Sequence, residues 1–338
     1  MARSIFSCRN KISLCRRASL AALVALWALH AAADPIELNS KHVAFSEEEV
    51  QGPPTVGRLE FRGGLHLTSP DRRFGGWSGL IASADGAALI AISDNGYWLT
   101  ATPIYDRAGH LDGVAKRGEI GVLQDPIGKP VRGARRDAEE IAMLPEGIAV
   151  AFEREHRVWI YPNRAAPFTV PPRVVEMPRG LSRAPSNEGI ETMTGLGDGR
   201  LLIVTEGLFA APGRLAGWIS DGPPHRVWSP IAWETSGEFV PTGAATLPGG
   251  DVLILQRRFS WLGGLASRIS RVAARELVPG ATLAGAEIAR LEVPVVHENF
   301  EGIAVAARGG DTLVYVISDD NYNAVLQRSL LLMFAFRP

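Results

Sequence analysis

Asn299-Phe300-Glu301-Gly302-Ile303 runs through the turn Gly309-Gly310-Asp311 into Leu313-Val314-Tyr315-Val316-Ile317-Ser318-Asp319. A polar residue precedes a short apolar run. A glycine-rich turn follows, which is hairpin chemistry. A second apolar run has no polar alternation, as expected of a strand buried on both faces. It ends on an acid. The same order recurs four more times. Trp77-Ser78-Gly79-Leu80 leads through Asp85-Gly86 to Ser93-Asp94, and Glu139-Glu140-Ile141 through Glu146-Gly147 to Phe152-Glu153. Glu188-Gly189-Ile190-Glu191 leads through Asp198-Gly199 to Thr205-Glu206, and Thr242-Gly243-Ala244 through Gly249-Gly250 to Gln256-Arg257.

A hairpin repeating at roughly 50 to 60 residues fits radial or array architectures. No long run has the 3.6 period of a helix; residues 266–277 read as either a short helix or an outer hairpin. The high turn content, 36 Gly and 23 Pro, agrees with an all-β chain. The predicted fold is a β-propeller, in which each blade's inner strand lines a central channel. Five units are visible, and the length predicts six blades. Residues 56–67 and the apolar residues 329–336 are expected to pair in the remaining blade. That closes the ring and removes exposed edges. Residues 34–338 read as one domain.

Residues 1–33 read as a leader. Arg3, Arg9, Lys11, Arg16 and Arg17 precede an apolar run at 18–29 and the cleavage pattern Ala31-Ala32-Ala33. An uncut anchor is the rival reading, but the run is short for a hydrocarbon core of about 30 Å. Arg16-Arg17 also resembles a twin-arginine signal, with ordinary Sec export as the alternative. Both readings place the protein in the periplasm or outside the cell. Cys8 and Cys15 fall in the leader, so the remainder has no disulfide and no thiolate chemistry. A net charge of -1 without basic runs argues against nucleic-acid binding. Nucleophile-elbow, P-loop, dinucleotide and zinc-protease motifs are missing from the sequence.

The hairpin geometry predicts the site. Residues before the first strand and after the second share one end of the channel. Asp94, Glu140, Glu153, Glu188, Glu191, Glu206, Glu301 and Asp319 are therefore expected at one mouth. Crowded carboxylates repel unless a proton or a cation neutralises them. Oxygen ligands without thiolates suit Ca²⁺ or Mg²⁺ better than zinc. Asp94, Glu140, Glu188, Glu191, Glu301 and Asp319 are the candidate metal ligands. The plainer reading of each acid is a strand cap or a partner for a rim arginine. Glu153-Arg154-Glu155-His156-Arg157 offers Arg154 as an anion contact and His156 as a general acid; Arg257 is a further anion contact.

These segments, with Asp137-Ala138-Glu139-Glu140, Ser93-Asp94-Asn95-Gly96 and Ser318-Asp319-Asp320-Asn321, make residues 58–336 resemble the phytase-like family, labelled "esterase-like activity of phytase". The resemblance implies an exported β-propeller that hydrolyses phosphate or carboxylate esters. The related β-propeller phytases use Ca²⁺ in an acidic channel mouth. The expectation is a monomeric hydrolase of small anionic esters with a divalent cation, Ca²⁺. A non-catalytic propeller that binds a ligand or a protein through the same mouth is the alternative.

Overall fold

The computed structural model describes residues 33–46, 54–162, 167–260, 264–323 and 325–338. The leader, except Ala33, lies outside the described residues, and so do both cysteines. Among the described residues no helix is long and apolar enough to cross a membrane. Among the described residues helical structure is confined to three short 3₁₀ turns, and residues 264–272 form a strand.

Among the described residues five sheets stand around one axis, antiparallel but for one edge pair in the third. Their inner strands are Trp77–Ala82, Ala138–Leu144, Ile190–Gly195, Val240–Thr246 and Phe300–Arg308. Each packs beside the next, and the last returns to the first. These are blades one to five. The buried apolar residues fall into five clusters, one between each neighbouring pair of blades. Continuous apolar strands such as Gly147–Phe152, buried at every residue, result from this. Both faces of a blade meet another blade, so neither can be polar.

The prediction of six blades is corrected to five. The C-terminal strand Leu330–Phe336 pairs on one side with Asp311–Ser318 and on the other with Leu59–Thr68. The two terminal stretches do meet, but they complete blade five, whose own unit supplies only the two inner strands. Length misled because blade one carries an inserted hairpin, Pro103–Tyr105 with Leu111–Val114. Blade three also takes an extra edge strand, Thr282–Leu283, from the chain that follows blade four's third strand.

Closure of the ring therefore rests on one strand. Phe334 is fully buried in it, 5.7 Å from the Phe61 ring across the junction. Phe334→Ala should lower unfolding free energy by about 3–5 kcal/mol, the usual cost of emptying a buried aromatic site. Urea denaturation checks this; a loss below 1 kcal/mol would mean the junction does not hold the ring.

Candidate functional site at the channel mouth

Every inner strand begins with the same irregularity. Pairing with the second strand skips one residue, a β-bulge, between Trp77 and Gly79, Ala138 and Glu140, Ile190 and Thr192, Pro241 and Gly243, and Phe300 and Gly302. The extra residues are Ser78, Glu139, Glu191, Thr242 and Glu301. Bulges re-aim side chains, and fivefold repetition makes these residues one ring. A second ring lies where the second strands leave their pairing with the inner strands: Asp94, Glu153, Glu206, Arg257 and Asp319. In four blades its backbone N–H donates to the carbonyl just before the inner strand. Asp94 donates to Gly76 at 3.1 Å, and Glu153, Glu206 and Asp319 donate to Asp137, Gly189 and Asn299 at 2.9 Å. In blade four Arg257 pairs with Val240 at the same place.

The two rings hold seven acids and one arginine. Arg257 lies 3.5 Å from Glu206 and 3.7 Å from Glu301. Burial opposes its charge, but Glu301, Glu206, Glu191 and Asp319 push its pKa above the ordinary range. One cation does not balance the set. Burial pushes Glu301 up to about 8, with Asp319 adding and Arg257 opposing. Burial and the charges of Asp319 and Asp137 raise Asp94 to about 7. Asp319 rises to about 6, mainly through burial. Burial also lifts Glu139 and Glu191 well above the usual range, with Glu191 and Asp137 adding at the first and Glu206 and Glu153 at the second. Asn299 donates to Glu301 at 2.9 Å and so braces this side of the mouth.

Asp137, Glu139 and Glu153 each bring a carboxylate oxygen within 4.8 Å of the others. Calcium–oxygen distances are about 2.3–2.6 Å, so three such oxygens can share one ion. This cluster can hold a metal, and its all-oxygen donor set fits a hard divalent cation. Beside it Asp94, Arg136, Asp137, Arg154, Asn321 and Tyr322 line a cleft of about 500 Å³. Gly76, at φ +66°, is what lets the cleft close. A Cβ there would stand 2.5 Å from both Asp94 Oδ1 and Tyr322 Cε2. Arg154 pairs with Asp137. Arg136 has no ion pair or hydrogen bond among the described residues, although its charge lowers the Asp94 pKa.

The structure brings Asp94, Glu191, Glu301, Asp319 and Arg257 to the mouth. Glu188 is exposed on the blade-three rim, its side chain against Gly207. His156 stands apart. Its Nε2 is 3.0 Å from the Pro185 carbonyl, and its ring lies under the Gly189 backbone. It lines a separate open groove with Met177, Pro178 and Arg179. Glu140 points into the channel, where backbone N–H groups take both of its oxygens. Asp137, Glu139 and Arg136 are not among the residues that the sequence pattern assigns to the site. The position at the start of the hairpin puts Glu140 at the mouth in the sequence reading, but the bulge adds one residue and hands that place to Glu139. A gapless stacking of the five repeats would have put Glu139, Glu191 and Glu301 in one column.

The profile of the family described as "Phytase-like: Esterase-like activity of phytase" matches residues 72–322. No curated protein matches the chain. Among solved structures, an α-L-arabinofuranosidase from Podospora anserina in complex with cellotriose is 15% identical. It matches over 85% of this chain and 99% of its own, at a TM-score of 0.49. A PQQ-bound aldose sugar dehydrogenase from Streptomyces coelicolor is 13% identical, over 84% and 100%, at 0.44.

The raised acids carry a signed consequence for stability. Their folded pKa values, about 6 to 8, exceed the ordinary carboxyl values of 3.8 and 4.5. The fold then binds more protons than the unfolded chain, and stability falls as pH rises between the two values. In chelator, melting temperature should drop from pH 5.5 to pH 8.5. Glu301→Gln should flatten that slope and melt higher than the parent at pH 8.5. A flat parent profile would show that these carboxyls are not held protonated.

Proposed function

The chain belongs to the phytase-like family, and from that premise we propose that it hydrolyses phosphate or carboxylate esters with a divalent cation at the channel mouth. The observation that carries this is the convergence of Asp137, Glu139 and Glu153 beside a cleft containing unpaired Arg136. These three acids would hold the ion, with calcium as the first candidate because every donor is a hard oxygen. When bound, such an ion supplies a Lewis acid for the ester oxygen and lowers the pKa of a coordinated water.

The chain's own groups do the rest. Arg136 would grip the anionic part of the substrate, since it lines the cleft and has no ion pair among the described residues. Arg154 and Arg257 are already engaged by Asp137 and by Glu206 with Glu301. In this reading they set the local field and do not seat the substrate. Asp94, near 7 and in the same cleft, is placed to exchange a proton with the leaving oxygen close to neutral pH. That role passes to it from His156, whose groove shares only Arg154 with the cleft. The leader read in residues 1–33 would put the reaction in the periplasm or outside the cell.

A calcium titration that follows melting temperature and turnover of p-nitrophenyl phosphate and p-nitrophenyl acetate tests the proposal. Both readouts should rise together in the parent. Asp137→Asn, Glu139→Gln and Glu153→Gln should each weaken calcium binding, and Arg136→Ala should raise KM for the phosphate ester more than for the neutral acetate. A calcium-induced rise in melting temperature with no turnover of either ester would favour a ligand-binding propeller. No response to calcium or magnesium would remove the cation from the reading.

A further inference from the structure

Glu140 is a fully buried carboxylate that the proposed chemistry does not use. Its Oε1 accepts the N–H of Ile141, in its own blade, at 2.8 Å, and its Oε2 accepts the N–H of Ala244, in blade four, at 3.1 Å. Burial lifts its pKa well above the usual range, and the N–H of Met193, in blade three, is among the backbone groups that oppose that shift. Blade two does not adjoin blade four, so this side chain must cross the channel to reach Ala244.

The equivalent residues of the other blades make room for it. The position after each bulge is Gly79, Glu140, Thr192, Gly243 or Gly302. A Cβ on Gly79 would come within 2.9 Å of Glu140 Oε1, and one on Gly243 within 3.1 Å of Oε2. Glycine from two blades and one carboxylate from a third therefore fill the axis at this level. Above it stand the acid rings. Below it the channel widens into a cavity of about 110 Å³, lined by residues such as Ala82, Met143, Gly195 and Thr246 from the far ends of the inner strands.

We propose that Glu140 is the positioning residue of the mouth: it plugs the channel beneath the acid rings, ties blades two, three and four together across the axis, and fixes the bulge that presents Glu139. Glu139 is adjacent in the chain, so any drift of Glu140 moves a predicted ligand directly. The plug also leaves the mouth as the entrance for substrate and solvent. The effect on cation affinity rests on the cation reading above; the lock across the axis does not.

The test uses Glu140→Ala, Glu140→Gln and Glu140→Met in the full chain, with calcium affinity by calorimetry and amide hydrogen exchange by mass spectrometry. Ala should expose the Met193 and Ala244 amides to faster exchange in two other blades while Arg157–Tyr161, in the mutated blade, keeps its protection. Calcium affinity should fall roughly 10–100-fold, the range for residues that orient a ligand without touching the metal. Gln should fall between Ala and the parent, because its amide NH₂ would face an N–H donor at one end. Met fills the same space without accepting and should resemble Ala. Formate, which can restore the missing acceptor, should recover affinity and protection in the Ala variant, and chloride should not. Met behaving as the parent would reduce Glu140 to packing and overturn the inference, and so would unchanged exchange at Met193 and Ala244 in a folded Ala or Gln variant. If the parent itself binds no calcium, the cation reading fails. The exchange at those two amides then decides the lock alone.

Discussion

Five strands converging on one axis leave a channel so narrow that most positions at its tightest level cannot carry a side chain. That constraint governs what surrounds it. Gly79 and Gly243 yield the space, and Glu140 occupies it. A buried carboxylate is expensive unless its oxygens are satisfied, and here both oxygens take backbone donors, from within blade two and from across the channel. The donors are main-chain groups, so the bond depends on blade geometry and not on a partner side chain. A closed ring leaves no room for a blade to shift alone. Geometry fixed at the axis is therefore passed to the bulges just above it.

The bulges turn a packing solution into a charged surface. Each adds one residue at the mouth, and three of the five are glutamates. Four of the five adjoining strand ends are also acidic, and Arg257 is the exception. Two like charges about 4 Å apart near a protein surface repel by about 4 kcal/mol, a large share of a typical stability margin of ~5–15 kcal/mol. Seven ionised acids around one arginine are thus not a resting state for the fold. Protons or a cation must share the mouth with them, and the pKa values raised to about 6, 7 and 8 at Asp319, Asp94 and Glu301 express the proton solution.

Much of this architecture could be read from the chain. The recurring hairpin, ending in an acid, gave the propeller and the location of its charged mouth, because strand pairing forces those ends together. The apolar termini gave the closure, since Leu330–Phe336 had no other partner to bury both faces. The blade number was not legible: the inserted hairpin after blade one's third strand lengthens the chain without adding a blade. The choice between Glu139 and Glu140 was hidden for a different reason. A bulge is a defect in strand alternation, and alternation is the rule by which a sequence assigns faces. His156 misled in a third way. Its neighbours Arg154 and Glu153 do reach the mouth, but the chain turns at Arg154, with φ +58°, and the histidine ring leaves in another direction.

The mouth is asymmetric, and the asymmetry is what separates a site from a uniform acidic ring. On the blade-four side Arg257 bridges Glu206 and Glu301, and their charges are largely spent on each other. On the blade-two side Asp137, Glu139 and Glu153 gather with only Arg154 against Asp137, and the cleft with Arg136 and Asp94 opens beside them. A cation entering the mouth would meet Asp137, Glu139 and Glu153 on that second side, and an anion would meet Arg136, which has no ion pair among the described residues. Acids beside an arginine that forms no ion pair with them among the described residues are the arrangement on which the proposed binding of a metal and an anionic ester rests. In a ring with an arginine opposite every acid, the same residues would only hold the blades closed.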